Sequence, residues 1–241
     1  MTVSIAEALA PSGRLRAAIN LGNPVLAQRD PGTGDMGGVS VAIARELGRR
    51  LGLPVDLVPF DKAGDVFAAL QRAAWDVAFL AIEPVRAGEI AFTAPYVLLE
   101  GVYLVPETSP LRRIDDVDRA GVRVAVVRGS AYDLYLTRSL AHAEIVRVAS
   151  ASEATDVLVR DRLDAVAGVK QPIEAFAEAH HGFRVLPGRF MSIEQAVGIP
   201  KERDAVAPHL RAFVEELKAT GFIARALAAS GQADATIAPP R

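Results

Sequence analysis

The 241-residue chain contains no cysteine. That removes disulfides, thiolate nucleophiles and Cys-ligated metals at once. It leaves the compartment open, because cytosolic and exported proteins alike can lack the residue. Long apolar runs are missing too. Nowhere do ~20 apolar residues follow one another, so no membrane insertion is expected. The opening MTVSIAEALAPSGRLRAAIN has neither a basic stretch nor a sustained apolar one and does not read as a signal peptide. On that reading the protein is cytoplasmic if Met1 is the native start, and periplasmic if a leader was removed and a Met supplied. An excess of one charge sign is also lacking. The formal net charge is −2, and like charges cluster only in pairs such as Arg49-Arg50 and Arg112-Arg113. This argues against nucleic acid or an anionic membrane as a partner. There is no Walker motif, no Gly-x-Gly-x-x-Gly, and no histidine spaced to share a metal with another, so neither a cofactor nor a metal is expected.

What is present is alternation. Short apolar runs at 15–21, 55–60, 77–82, 122–127, 145–148, 164–169, 183–186 and 196–199 read as strands. The run 77–82 is continuously apolar and suits a strand buried on both faces. Between these runs lie segments of helical period. Val39, Ile43, Leu47 and Leu51 recur every four residues and stop at Gly52. Val66, Phe67 and Leu70 mark a short helix, and Ala154, Val157 and Leu158 share a helix face. Pro172 stands in the first turn of another, where a missing N–H costs nothing. Val206, Leu210, Phe213, Val214 and Leu217 form the clearest stripe, and the terminal ATIAPPR reads as a frayed tail. Two such blocks of roughly 90 residues predict two parallel α/β lobes. In sheets of this kind ligands collect beyond the carboxyl ends of strands, here the loops 20–24, 60–64, 81–86, 128–132 and 168–172.

These segments carry an ordered set of landmarks: GRLRAAINLGNP, GGVSVAIARELGRRLG, VFAALQRAAWDVAF, PVRAGEIAFTAPY and RVAVVRGSAYDLYL. In that order and spacing the chain resembles the periplasmic solute-binding proteins of ABC transporters, type II fold, in the polar-amino-acid family 3 group, from Gly13 to about Gly231. The resemblance implies two doubly wound α/β lobes that close on a ligand like a hinge. One lobe would be residues 1–98 with 195–241 and the other 103–190, with crossovers at about 97–102 and 191–195. It also implies a monomer, a small-molecule carboxylate as ligand, and an ABC permease as the partner of an exported copy.

In the family, the arginine at the position of Arg86 holds the ligand carboxylate, a task that a planar, permanently charged fork suits. Gly129-Ser130-Ala131 would open a helix of the second lobe, whose N–H groups favour an anion, although Ser130 also fits a plain helix cap. The family's aromatic ligand contacts are replaced here by Asn23 and Lys62. The acid that usually meets the ligand ammonium is replaced by Lys170, in Lys170-Gln171-Pro172. Two readings follow. Arg86, Lys62 and Lys170 form a cationic pocket for a mono- or dicarboxylate or a phosphorylated acid, the reading the sequence favours. In the other, Glu83 supplies the missing acid and the ligand remains an amino acid; Glu83 also fits an ordinary first-turn carboxylate. Asn20, Asn23 and Gln195 complete the candidate contacts. The same fold has produced cyclohexadienyl dehydratases, so a lyase acting on a small carboxylic acid is the alternative. Glu83 and Glu194 are its available acids, but no catalytic constellation is recognisable.

Overall fold

The computed structural model describes residues 4–241, and they form two compact units. One comprises the chain up to Leu98 together with Glu194–Arg241, the other Leu99–Ile193. The chain passes from the first to the second within the strand Ile90–Pro106 and returns within Met191–Pro200.

In the first unit, strand Leu15–Asn20 lies in parallel between Val55–Phe60 and Val77–Ala81. Residues Gln195–Gly198 then run antiparallel to Ala81–Ala78. Every residue of Val77–Ala81 is buried, as its unbroken apolar sequence predicts. The helix Val39–Leu51 buries Val39, Ile43 and Leu47 and ends on Gly52 in the left-handed conformation, φ 66°. Gly48 lets this helix close on the sheet: a Cβ there would stand 2.2 Å from Val55 Cγ2. On the helix Ala63–Ala69, Val66 packs with Trp75, Ala78, Leu80 and Ile90, and Trp75 Nε1 donates to the Val66 carbonyl at 2.9 Å. Leu210, Phe213, Val214 and Leu217 are the buried stripe of Ala207–Ala219.

The expected frayed tail is corrected. Thr236–Ile237 pairs antiparallel with Leu98–Val97, the Ala238 N–H donates to the Tyr96 carbonyl, and Ala235 and Ala238 are buried. Backbone pairing on a sheet edge supplies an order that side-chain patterning in so short a segment does not signal.

Asp76, just before strand Val77–Ala81, is fully buried at the opposite, amino-terminal edge of the sheet. It accepts from the Arg16 backbone N–H and from Arg16 Nε and Nη2, and Arg203 Nη1 reaches it at 2.7 Å. Arg203 also donates to the Leu9 carbonyl, tying in the helix Ile5–Leu9.

In the second unit, Arg123–Val127 lies in parallel between Glu144–Val148 and Ala165–Val169. Residues Gly101–Leu104 run antiparallel to Val169–Val166, and Phe183–Val185 pairs with Pro106–Leu104. Period-2 alternation splits the core. Ala125 and Val127 pack with Leu104, Val157, Leu158 and Ile173 on one face, and Val124 and Val126 with Tyr103, Leu136 and Leu186 on the other. The helix predicted at Pro172 begins two residues earlier, as Lys170–Ala179, with Pro172 still in the first turn.

Burial pushes the Asp76 carboxyl up, but the Arg16 and Arg203 hydrogen bonds outweigh it and hold the group below the usual aspartate range. Its contribution to stability is therefore present above the ordinary aspartate pKa and is lost as pH falls through the lowered native value. Asp76→Asn is expected to cost about 3 kcal/mol or more at neutral pH, from stranding two guanidiniums. Urea melts at pH 7 and pH 3 should show the wild type losing more stability on acidification than the variant does. Deleting residues 235–241 should leave the protein folded but speed amide exchange at Val97 and Leu98, read by hydrogen-exchange mass spectrometry.

Candidate functional site

In each unit the parallel strands end at a common edge, and most of the candidate residues lie there. In the first unit Asn20 pairs with Phe60 at the ends of their strands, and Ala81 pairs with Gln195. The loops that follow therefore bring Asn20, Lys62, Glu83, Arg86 and Gln195 to one sheet edge. Gly22 fixes the approach of two of these loops, since a Cβ on it would meet the Asp61 carbonyl oxygen at 2.2 Å.

Arg86 is 0% and Glu83 3% exposed. Glu83 precedes the short helix Pro84–Ala87, and its carbonyl accepts from the Ala87 N–H. Arg86 Nη1 donates to the Ala81 carbonyl at 3.0 Å, pinning the guanidinium to the end of the buried strand. Burial pulls the Arg86 guanidinium down to about 10, and the neighbouring Glu83 carboxylate opposes the fall. At neutral pH Arg86 is still a cation. A solvated surface arginine, the ordinary role for such a residue, does not describe it.

The other candidates in this unit divide. Gln195 is buried. Asn20 is half-buried, and its Oδ1 accepts from the Gly22 N–H. Asn23 is buried as a turn residue: its side chain accepts from the Val25 N–H, and its carbonyl from Leu26 and Ala27. Lys62 precedes the helix Ala63–Ala69, with Nζ 3.9 Å from Asp65 Oδ1.

In the second unit, strands Arg123–Val127 and Ala165–Val169 end side by side, which places Ser130, Ala131 and Lys170 at a shared edge. Ser130 caps the helix Ala131–Ser139, its Oγ accepting from the Asp133 N–H at 3.0 Å. Asp133 returns the bond, its Oδ2 accepting from the N–H of Gly129, which sits at φ 73°. Arg147 Nε holds the same carboxylate at 2.9 Å. The Gly129–Ser130 turn is thus braced from within its own helix. Gly168 has a parallel role: a Cβ there would stand 2.8 Å from Ile173 Cγ1, so it lets the Lys170 helix sit close to its strand. Lys170 Nζ donates to Glu100 Oε2 at 3.0 Å, and Arg189 Nη1 to Glu100 Oε1 at 2.9 Å.

Sequence reasoning missed Glu100 and Asp133. Both left a signal. Glu100 is the one charged residue in the apolar run 97–105, and Asp133 stands three residues after Ser130, the spacing of a reciprocal cap. Among the described residues no group of three or more His, Asp or Glu could hold a metal ion, and no helix is long and apolar enough to cross a membrane.

Comparison with known proteins places this geometry. The fold matches an arginine-binding protein from T. maritima, a P235GK mutant, with TM-score 0.79 and 22% identity over 95% of this chain and 99% of that one. It matches the cysteine-binding protein from Campylobacter jejuni with TM-score 0.79 and 18% identity, over 95% and 93%. A third structure is the ancestral amino acid-binding protein AncCDT-1, a precursor of cyclohexadienyl dehydratase, with TM-score 0.76 and 21% identity over 94% and 99%. These likenesses are of fold. Among curated proteins, the virulence sensor protein BvgS of Bordetella pertussis is 29% identical over 172 residues, 71% of this chain. The match spans only 13% of that relative's length. Residues 15–229 match the family described as bacterial extracellular solute-binding proteins, family 3, and the chain belongs to that family.

Proposed function

We propose that this protein binds a small amino acid or a closely related zwitterion. The reading rests chiefly on one observation, the opposite charges of Glu83 and Arg86 buried together at the carboxyl end of strand Val77–Ala81. Burying opposite charges near one another is weak as a stability device, since desolvation offsets their attraction. At a ligand edge it offers a carboxylate to an ammonium and a guanidinium to a carboxylate. The fully anionic ligand favoured by the sequence drew on Lys62 and Lys170 as cations facing the solute. The engagement of Lys170 by Glu100 weakens that argument. Fold neighbours named as arginine-binding and cysteine-binding proteins agree with the amino-acid reading.

In this proposal Arg86 takes the ligand carboxylate, Glu83 the ammonium, and Asn20 and Gln195 the remaining polar groups. In the second unit Ser130 and Ala131 open their helix with free N–H groups that suit an anion. Asn23 and Lys62 border the site. The family's description as extracellular supports action outside the cytoplasm. Uptake would add an ABC permease as partner. A sensing role is the second reading, favoured by the match to virulence sensor proteins, and it uses the same binding step.

Calorimetry against amino acids and small carboxylic acids tests the proposal. Arg86→Ala should weaken binding by about 2 kcal/mol or more, and Arg86→Lys should restore it only in part because the bidentate fork is lost. Glu83→Gln keeps the side-chain shape and should lower affinity for amino acids more than for the matching acids without an ammonium. Unchanged binding by folded Arg86→Ala, or equal losses for both ligand classes in Glu83→Gln, would sink the assignment. NMR of the bound ligand over hours should show no turnover; conversion would point instead to a lyase on this fold.

A further inference from the structure

The carboxyl-terminal segment runs along the strand by which the chain leaves the first unit. Thr236 and Ile237 stand opposite Leu98 and Val97, and the next residue, Ala238, donates its N–H to the Tyr96 carbonyl. Carried on along the two chains, the same antiparallel register sets Pro239 opposite Pro95. Neither proline has an N–H, so no backbone hydrogen bond can form between them. The rung is supplied from elsewhere. Lys218, in the last turn of the helix Ala207–Ala219, donates from Nζ to the Pro239 carbonyl at 2.9 Å and to the Pro95 carbonyl at 3.3 Å.

This ammonium is buried: the Lys218 side chain is 3% exposed. A lysine so placed is costly unless its charge is met. Besides the two carbonyls, Glu215 Oε1 stands 2.6 Å from Nζ, on the same helix. Through Oε2, Glu215 also accepts from the Arg241 N–H at 3.2 Å. The segment's last contact is on the returning strand, where Arg241 Nη2 donates to Glu194 Oε1. That pair is open to water, with side chains 54% and 34% exposed, and so adds little to the hold. The segment therefore meets Leu98, the last residue of the first unit before the chain crosses, and Glu194, the first after it returns. Its buried polar anchor is Lys218.

We propose that residues 235–241 are a releasable strap on both crossing strands, locked by Lys218, which replaces the rung that two facing prolines cannot make. Two paired residues are too few to hold a strand by themselves, so the ammonium closes the strap. Opening of the strap and release of Lys218 are then one event, because the ammonium cannot stay buried once the Pro239 carbonyl leaves it. The order of the strands at 95–98 and at Glu194 is thereby conditional on the carboxyl-terminal segment.

Hydrogen-exchange mass spectrometry of the wild type, Lys218→Met and Arg241→Ala tests the lock. Methionine keeps an apolar stem in place of the lysine's and removes the ammonium. Lys218→Met should quicken exchange at Ile237, Ala238, Val97 and Leu98 by roughly tenfold or more, the effect of losing charge-assisted hydrogen bonds, while strand Val77–Ala81 keeps its rate. Arg241→Ala should change the same amides by less than about threefold. Unchanged exchange at those amides in Lys218→Met, or an equal loosening by Arg241→Ala, overturns the lock. Should Lys218→Met fail to fold, a chain lacking residues 239–241 decides, with the lysine itself intact. Acetylation of Lys218, followed by mass spectrometry, should then quicken by roughly tenfold or more over the full chain while Lys201 keeps its rate. A Lys218 as protected in the shortened chain as in the full one overturns the proposal.

Discussion

A parallel strand can be reached only by a crossover, and the rest of this structure depends on that constraint. The chain must return along a helix before laying down the next strand, so successive strands end at the same edge. In the first unit this gathers the loops after Leu15–Asn20, Val55–Phe60 and Val77–Ala81. In the second it gathers those after Arg123–Val127 and Ala165–Val169. Residues as distant in sequence as Asn20 and Gln195 reach one edge because backbone hydrogen bonds leave them nowhere else to be.

The two edges of the first sheet treat buried charge differently. At the amino edge Asp76 is surrounded by Arg16 and Arg203, and its hydrogen bonds outweigh the cost of burial. At the carboxyl edge burial prevails over Arg86, whose guanidinium is pulled down despite Glu83. The first arrangement resembles a clasp between the helix Ile5–Leu9, the sheet and the segment Lys201–Val206. The second keeps a desolvated cation at the carboxyl end of a strand, and low polarity strengthens any charge it meets. The second unit has its own contrast. Ser130 Oγ and the Asp133 carboxylate accept from backbone N–H groups within one helical turn, whereas Lys170 takes its partner from a strand distant in sequence.

Much of the fold was legible in the sequence. The unbroken apolar run at 77–82 read as a strand buried on both faces, and Val77–Ala81 is one; Gly52 stopped a helix where its period ended. The landmarks also identified the family, because their order carries more information than any one of them. Legibility failed where order comes from backbone pairing: Thr236–Ile237 has too few side chains to signal a strand, yet it pairs with Leu98–Val97. It failed also for the partners of charged residues. Lys170 reads as a free cation in the local text, and Glu100 stands 70 positions away.

The sequence by itself determined the alternation of strand and helix, the family, and the short list of residues at the strand ends, because periodicity and turn chemistry are local properties. Only the tertiary structure decided that Arg86 is a buried cation beside Glu83, that Asn23 is committed to a turn, and that Glu100 occupies Lys170. Burial and ion pairing are set by which strands lie side by side, and no local stretch of sequence carries that information.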